Sequence, residues 1–419
     1  MNLTIEALGS QGEGIAEIDG RKVFVPFTLP GESIEAQVTG ERGTLVRVTN
    51  ASHDRIAPVC KHFGTCGGCS LQHAAPALYR VFKRDQMIHA LRARGFGEDG
   101  IVGELLTVPP SSRRRASLAA TREGDGIALG YHAARSPDIV AIEQCPVLLP
   151  RIVAALQGLR TLMDIVLARR ATAEVHVTAA SQGLDIAVTG AGTGINANRR
   201  AALGTWLNSS PGIVRLTIDG EQVAAKLAPS VSFSGHEVPL PPASFLQAVP
   251  EAEAELVRSV QSALSGLKSK DKIADLFAGL GAFTLPLAAR NEVLAAEWDR
   301  AAVDALAAAA KQPGLRKIDV LRRDLFREPL SANELKPFAA VVFDPPRAGA
   351  QAQAEALAAS SVPTVIAISC NPATLARDLR TLVDGGYALE KITPIDQFLF
   401  SPHVEAVAVL RRFRSKRKG

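Results

Sequence analysis

The 419-residue chain has few aromatic residues and no long apolar run. At 5% Phe, Trp and Tyr, a binding surface built from many stacked aromatic rings is not expected. No window reaches the roughly 18 uncharged apolar residues that a membrane helix needs. The first residues, MNLTIEALGSQGEG, lack the basic region and apolar stretch of a secretory signal. These absences predict a cytoplasmic protein that does not associate with a membrane.

Cysteine is also scarce, with five residues in the chain. An odd number cannot form a fully paired disulfide framework, and thiols stay reduced in the cytosol. The remaining composition is typical of a globular protein, with 47% apolar residues, 21% charged residues and a formal net charge of +5. At about 100–200 residues per domain, the length allows two to four domains. The composition excludes a disordered chain, a collagen and a small disulfide scaffold.

Sequence patterns divide the chain into three regions. Residues 1–52 contain short strands separated by glycine turns, which predicts a small β-barrel of the OB type. Residues 53–243 begin with a cysteine-rich loop and continue with a predicted helix over 76–94. They then mix strands with a helix near 150–168, which predicts a central α+β domain. In residues 244–419 strands alternate with helices, which predicts an α/β domain with a doubly wound parallel sheet and an antiparallel edge.

A glycine loop follows the first strand of the α/β region. Gly279 and Gly281 lie between that strand and a helix, where they let a ligand approach the backbone. Glu297 ends the second strand, where a carboxylate can bind both hydroxyls of a ribose, and Asp324 ends the third, where it can accept from an adenine amine. The phosphate-binding pattern G-x-x-x-x-G-K-S/T is absent. The arrangement favours a nucleoside without a diphosphate, such as S-adenosylmethionine, over acids that are merely solvated.

Three residues nearer the C-terminus can support covalent chemistry. Asp344 ends the fourth strand, and the prolines after it point its carboxylate into the cleft. Cys370 ends the fifth strand directly before a helix, whose dipole is expected to lower the thiol pKa and favour the thiolate nucleophile. Glu405 lies in the apolar strand HVEAVAVL, where burial would raise its pKa to suit a general base. The alternatives are a structural cysteine and a solvent-facing carboxylate.

The other four cysteines combine a clustered set with one remote residue: Cys60, Cys66, Cys69 and Cys145. Their C-x5-C-x2-C…C spacing has only one of the two C-x2-C pairs that zinc sites commonly use. A cubane iron–sulfur cluster accommodates three clustered thiolates and one remote thiolate. The nearby His62 and His73 keep a zinc site open as an alternative.

Together these motifs closely resemble the bacterial RNA uracil-C5 methyltransferases, especially the iron–sulfur branch that modifies large-subunit ribosomal RNA. The resemblance spans nearly the whole chain and includes the cysteine set, DLFAGLGAF, DPPRAG, SCNPATLARDL and HVEAVAVL. It implies a class I Rossmann-like methyltransferase domain preceded by a TRAM barrel and an iron–sulfur domain. Two positions depart from the family pattern, because Val249 and Ala282 stand where Asn is common.

The resemblance also implies roles for individual residues. Cys370 would be the nucleophile and Glu405 the base. The four cysteines at 60, 66, 69 and 145 would hold a 4Fe–4S cluster. The positions that match cofactor-binding residues of the family are Gln247, Phe277, Glu297, Asp324 and Asp344, beside the loop glycines at 279 and 281.

The expected reaction is S-adenosylmethionine-dependent methylation of uracil C5 in RNA, with 23S ribosomal RNA as the favoured target. Addition of Cys370 to C6 would make C5 nucleophilic, and Glu405 would then remove the C5 proton. The alternatives are a transfer-RNA uracil-C5 enzyme, a cytosine-C5 enzyme and a methyltransferase that acts on a base nitrogen. A further alternative is a non-catalytic iron–sulfur protein that binds RNA. Arg347 occupies a position that is aromatic in the nitrogen methyltransferases.

The expected partner is RNA whose target base is flipped out of a loop into the cleft. Basic segments that could contact its backbone are the helix over 76–94, Arg113–Arg115 and the tail RRFRSKRKG. The small net charge favours local patches over a uniformly basic surface. Without a heptad repeat or an apolar stripe, we expect a monomer with no obligate protein partner.

Overall fold

The structure, a computed structural model, describes residues 1–97, 100–124, 126–168, 171–192 and 194–412. Six strands at the N-terminus form one sheet: β1 (Asn2–Thr4), β2 (Ala7–Leu8), β3 (Gly14–Ile18), β4 (Arg21–Val25), β5 (Ser33–Thr39) and β6 (Arg42–Asn50). Their order is β1-β5-β6-β4-β3-β2. Buried residues alternate with exposed ones, so apolar side chains such as Val23, Val25 and Ile34 form a small core of their own.

The central region combines helices with a large sheet and a separate pair of strands. Its helices and strands are α1 (Pro76–Arg92), β7 (Leu106–Thr107), β8 (Arg115–Glu123), β9 (Gly126–His132), β10 (Ile139–Ala141), α2 (Pro150–Val166), β11 (Thr172–Ala179), β12 (Leu184–Thr189), α3 (Ala197–Ser209), β13 (Ile213–Ile218), β14 (Glu221–Ala225), β15 (Ser230–Phe233) and β16 (His236–Pro239). Seven of these strands form a sheet in the order β10-β9-β8-β11-β12-β13-β14, and β15 pairs with β16. Helices α2 and α3 bury their apolar side chains against the larger sheet. The sequence pattern missed α3, whose first turn is capped by the Asn196 side chain.

In the C-terminal region strands alternate with helices, as predicted. Its elements are α4 (Pro250–Ala263), β17 (Lys272–Leu276), α5 (Thr284–Ala288), β18 (Glu292–Glu297), α6 (Arg300–Ala309), β19 (Ile318–Arg322), α7 (Ala332–Leu335), β20 (Phe338–Phe343), α8 (Gln351–Ala358), β21 (Thr364–Ser369), α9 (Pro372–Asp384), β22 (Tyr387–Asp396) and β23 (Glu405–Arg412). The sheet order is β19-β18-β17-β20-β21-β23-β22-β7. Strands β17 to β21 are parallel, and β23 is antiparallel to both β21 and β22. The predicted α/β sheet with an antiparallel edge is therefore confirmed.

Helix α1 and strand β7 pack with this C-terminal sheet, although they precede the central sheet in the chain. Met87 and Leu91 of α1 are buried in a core shared with α9 and β22, and β7 pairs with β22. The division of the chain into 1–52, 53–243 and 244–419 stays a prediction. No helix among the described residues is long and apolar enough to cross a membrane.

The sheet topology brings the strand ends that carry the selected residues to one edge. Strands β20 and β21 are almost wholly buried because helices cover both faces, and their sequences are accordingly continuous apolar runs. The carboxyl ends of parallel strands meet at the same edge of a sheet, where ligands bind in open α/β folds. Strand β23 runs the opposite way, so its first residues lie at that same edge, with Ala406 paired to Ser369.

Candidate active site

A cleft of about 840 Å³ lies along this edge of the sheet. Three residues that the sequence analysis selected for chemistry line it: Asp344, Cys370 and Glu405. They belong to neighbouring strands, since Asp344 follows β20, Cys370 follows β21 and Glu405 begins β23. Residues that are far apart in the chain are thus brought together by the strand order.

Two glutamine side chains connect the two carboxylates of the cleft. Gln247 Nε2 donates to Asp344 Oδ2 at 2.8 Å. Gln397 Nε2 donates to Gln247 Oε1 at 2.8 Å and to Glu405 Oε2 at 2.5 Å. Gln247 was expected from the sequence, whereas Gln397 was not, and its position directly after β22 was the only signal for it.

Both carboxyl groups have raised pKa values. Burial raises the pKa of Asp344 to about 7, and the hydrogen bond from Gln247 opposes that rise. Burial and the neighbouring Asp344 charge raise the pKa of Glu405 well above its ordinary range. The predicted upward shift of Glu405 is confirmed, and it has the predicted cause.

The expected low pKa of Cys370 is wrong for this arrangement. Burial raises the pKa of the Cys370 thiol to about 12, and the charges of Glu405 and Asp344 raise it further while Arg347 lowers it. The thiol does precede helix α9, as predicted. Because desolvation and two carboxylates act on it as well, the helix dipole does not decide its protonation.

The start of helix α9 also fixes the proline loop after Asp344. Asn371 caps the helix by accepting from Ala373 N, and its Nδ2 donates to Arg347 O at 2.9 Å. Thr374 Oγ1 donates to the same carbonyl at 3.2 Å. The motif SCNPAT thereby joins the loop after β20 to the loop after β21, which holds Asp344 beside Cys370.

The glycine loop and Glu297 form the wall of the cleft opposite the thiol. Glu297 Oε2 accepts from Gly279 N at 2.9 Å, and its Oε1 accepts from the backbone N–H groups of Trp298 and Asp299. Gly281 has a φ of +94°, and a Cβ there would lie 2.5 Å from a methyl of Leu306. Glycine is therefore required at 281, and three backbone donors fix the Glu297 carboxylate.

Two more residues selected from the sequence lie on this wall. Phe277, directly after β17, has a φ of +61°, and its ring lies 5.3 Å from that of Phe326. Asp324 lies two residues beyond β19, and its Oδ1 accepts from Phe326 N at 3.0 Å. Both residues line the cleft beside Glu297, as does Ala282.

The scarce aromatic residues are concentrated at the cleft, which sequence reasoning did not anticipate. Phe245, Trp298 and Phe326 line it, with 65%, 57% and 49% of their surfaces exposed. Arginine guanidinium groups stack on two of them, Arg115 on Phe245 and Arg322 on Trp298. Exposed rings of this kind provide stacking surfaces for flat aromatic ligands.

Some residues of the basic segments that were predicted to contact RNA are buried and paired inside the protein. Arg114 is buried, pairs with Glu253 and donates from Nε to Gln247 O at 3.0 Å. Lys83 of α1 is fully buried, and its Nζ lies 2.7 Å from Asp396 Oδ1. For Arg114 and Lys83 the prediction is wrong, because their charges are used inside the protein. Residues 413–419 of the basic tail lie outside the described residues.

A second, smaller cavity of about 150 Å³ is lined by all four remaining cysteines: Cys60, Cys66, Cys69 and Cys145. All four are free thiols and are partly buried. His62 also lines the cavity, whereas the side chain of His73 is buried away from it. Among the described residues, no three His, Cys, Asp or Glu side chains form a group that could hold a single metal ion.

The four cysteine thiols of this cavity suit a metal centre that several thiolates bind together. Burial raises the pKa of Cys69 to about 12, and the charges of the other thiols add to that rise. N–H groups face the sulfurs, since Gly68 N lies 3.5 Å from Cys66 Sγ, and Val147 and Leu148 donate to Cys145. Such donors stabilise thiolates once a metal centre has displaced their protons.

Comparisons with known proteins agree with this architecture. The family described as tRNA (Uracil-5-)-methyltransferase matches residues 240–413, and the TRAM domain matches residues 1–43. A solved tRNA (uracil-54, C5)-methyltransferase from Pyrococcus abyssi covers 98% of this chain and 100% of its own, with a TM-score of 0.73 and 22% identity. That likeness shows the fold over the part of the chain that the structure describes.

Similar sequences establish the family. An uncharacterized RNA methyltransferase of Mesorhizobium japonicum is 47% identical over 99% of this chain and 98% of its own. The 23S rRNA (uracil(1939)-C(5))-methyltransferase RlmD of Halomonas elongata is 33% identical over 99% of this chain and 90% of its own. With its Rossmann-like domain and N-terminal TRAM domain, the chain belongs to the RNA uracil-C5 methyltransferase family.

Proposed function

We propose that this protein methylates C5 of a uridine in 23S ribosomal RNA, with S-adenosylmethionine as the methyl donor and a covalent enzyme–RNA adduct as the intermediate. The observation that carries the proposal is the assembly of Asp344, Cys370 and Glu405 in one cleft. A thiol beside two carboxyl groups of raised pKa is an arrangement that can add to a pyrimidine and later move a proton.

Cys370 is the proposed nucleophile. Its sulfur adds to C6 of uracil, and the electron pair of the C5–C6 bond moves to the O4 carbonyl to give an enolate. C5 then carries enough electron density to take up a methyl group. The thiol proton must pass to the neighbouring Asp344 carboxylate or to water before the attack, because burial raises the pKa of Cys370 to about 12. A positive charge brought into the cleft beside Cys370 would favour its loss.

Glu405 is the proposed base for the next step. After methylation, C5 carries both a proton and the new methyl group, so the aromatic ring returns only when that proton leaves. Glu405 accepts the proton, the C5–C6 double bond forms again, and the Cys370 sulfur departs from C6. Burial raises the pKa of Glu405, which strengthens it as a base.

The cofactor is proposed to bind along the glycine-loop wall. S-adenosylmethionine supplies an electrophilic methyl group on a sulfonium. Glu297 would bind the ribose hydroxyls, Asp324 would bind the adenine amine, and Gly279 and Gly281 would keep the loop open to the ligand. Phe277 contributes an aromatic side chain to the same wall, and Gln247 and Asp344 lie at its catalytic end.

The cysteine cavity is proposed to hold a 4Fe–4S cluster. The ligands would be the four free thiols that line it, Cys60, Cys66, Cys69 and Cys145. The number and type of donors fit the cluster, and the facing N–H groups fit its sulfur ligands. Anaerobic purification should give about four irons per chain. Cys145→Ser should lower the iron content, whereas unchanged iron would contradict the assignment.

The proposed target is ribosomal, because the named relative with 33% identity over nearly the whole chain acts on 23S rRNA. The exposed aromatic rings at the cleft suit an unstacked base, which favours a looped segment. Methylation of ribosomal RNA from cells that lack this protein, compared with transfer RNA from the same cells, distinguishes the two targets. Labelling of transfer RNA alone would refute the ribosomal assignment.

Tritium release tests the reaction. RNA labelled at uridine C5 is incubated with S-adenosylmethionine and either wild type or Cys370→Ala, and released tritium is counted. We expect release that requires both the cofactor and Cys370. Methyl incorporation without tritium release would refute uracil-C5 chemistry. Loss of both on folded protein that still binds the cofactor would favour an RNA-binding role without catalysis.

A further inference from the structure

Gln397 is a buried side chain that the proposed mechanism does not use. It is 1% exposed and directly follows β22. Its Oε1 accepts from Ala248 N at 2.9 Å, and its Nε2 donates one hydrogen to Gln247 and the other to Glu405. Every N–H of the amide is therefore in use, and a buried amide with all its partners has one orientation.

The backbone N–H of Ala248 determines which way round this amide lies. Only the amide oxygen can accept that hydrogen, so the nitrogen must face Gln247 and Glu405. Because Gln247 then accepts at Oε1, its own nitrogen is directed to Asp344. One backbone group thus orients both amides, and each amide gives an N–H to one carboxyl group.

We propose that Gln397 is a positioning residue that holds the Glu405 carboxylate toward the bound uracil and keeps it separate from Asp344. The inference rests on the proposed function, in which Glu405 removes the C5 proton. Two carboxylates in one low-dielectric site share a proton when nothing separates them. The two amides give each carboxylate its own donor, so Glu405 and Asp344 can hold different protonation states and serve different steps.

Gln397→Met tests the inference because methionine has a similar length and no N–H to donate. Tritium release from C5-labelled RNA is expected to slow about 10- to 100-fold relative to wild type. Addition of Cys370 and methyl transfer should slow much less than tritium release, because Glu405 accepts no proton in either step. The methylated adduct should therefore accumulate and appear as labelled RNA attached to protein on a denaturing gel.

Gln397→Glu provides a second variant of the same shape. At a pH where its carboxyl group is ionised, this variant still accepts from Ala248 N but has no hydrogen for Glu405 or Gln247, so it should stall at the same step. Gln353→Met is the matched control, because Gln353 is also fully buried and bonds only to the backbone of Leu330. It should leave the ratio of tritium release to adduct formation at the wild-type value.

Glu405→Gln separates failure of the inference from failure of the proposed function. If Glu405→Gln releases tritium at the wild-type rate, Glu405 is not the base and the proposed function is wrong in that step. If Glu405→Gln accumulates adduct while both Gln397 variants turn over normally, only the positioning role is refuted. Equal slowing of adduct formation and tritium release in both Gln397 variants would also refute it, since general structural damage acts in that way.

Discussion

Replacing Lys83 with methionine is expected to destabilise the fold by about 3–5 kcal/mol. Lys83 and Asp396 have no exposed side-chain surface, and their charged atoms lie 2.7 Å apart. The ammonium also donates to the carbonyl oxygens of Phe398, at 3.1 Å, and His403. Methionine fills a similar volume but supplies no donor, so a buried carboxylate loses its cation and two carbonyls lose a partner.

The other contacts of Asp396 limit this loss of stability. Asp396 keeps two donors, because Tyr79 OH lies 2.5 Å from Oδ2 and Phe398 N lies 3.2 Å from Oδ1. An unsatisfied carbonyl costs about 1–3 kcal/mol, but both carbonyls belong to the segment that Asp396 anchors, so these losses overlap and do not add. Removing the cation from a buried carboxylate therefore dominates.

Urea unfolding of wild type and Lys83→Met provides the assay. Lys61→Met is the matched control, since it removes a lysine that pairs with Glu143 on the surface, where the two side chains are 52% and 69% exposed. That change should cost less than about 1 kcal/mol. If Lys83→Met is as stable as Lys61→Met, burial does not make the Lys83–Asp396 ion pair more important for stability than an exposed one.

Three further predictions concern backbone strain, pH and helix capping. Gly281→Ala should cost about 2–4 kcal/mol in urea unfolding, because strain and the clash with Leu306 combine. Gly64→Ala, at a φ of +91° with no neighbour within 4 Å, should cost only the strain of about 1–2 kcal/mol, so equal losses would refute the clash. Burial raises the pKa of Asp275 from 3.8 to about 7. The free energy of unfolding therefore falls as pH rises from about 4 through 7, because the unfolded state releases this proton first. Wild type should lose up to ~4 kcal/mol relative to Asp275→Asn between pH 4 and pH 8, and parallel pH curves would contradict this. Asn371→Ala should cost about 1 kcal/mol of stability by uncapping α9, and no change in thermal unfolding would count against the cap.

The sequence was sufficient to predict where strands end and which residues follow them. Glu297 is the last residue of β18, and Cys370 directly follows β21. Apolar runs broken by glycine or proline mark these ends, because a buried parallel strand contains few polar residues. Asp344 and Cys370 lie one residue beyond the strands that they were predicted to end, and Asp324 lies two residues beyond β19.

Contacts between distant segments could not be predicted from the sequence. A strand-end pattern shows that Cys370 leaves the sheet, but it does not show that Glu405 and Asp344 face it and raise its pKa. Lys83 resembles any basic residue on a helix, and its burial depends on Asp396, more than three hundred residues later in the chain. The role of Gln397 could not be predicted either, because it depends on three partners that the fold brings to it.

The segment 397–404 connects the two cavities of the molecule, and this bears on how the proposed base is held. Phe398 lines both the cysteine cavity and the candidate active-site cleft. The carbonyl oxygen of Phe400 accepts from Ser70 N and Leu71 N, which directly follow Cys69. On the other side, the segment leads into Glu405 at the start of β23. The same short segment is therefore bonded to the cysteine loop and leads directly into the proposed base, so the packing around the cysteines helps to fix the position of Glu405.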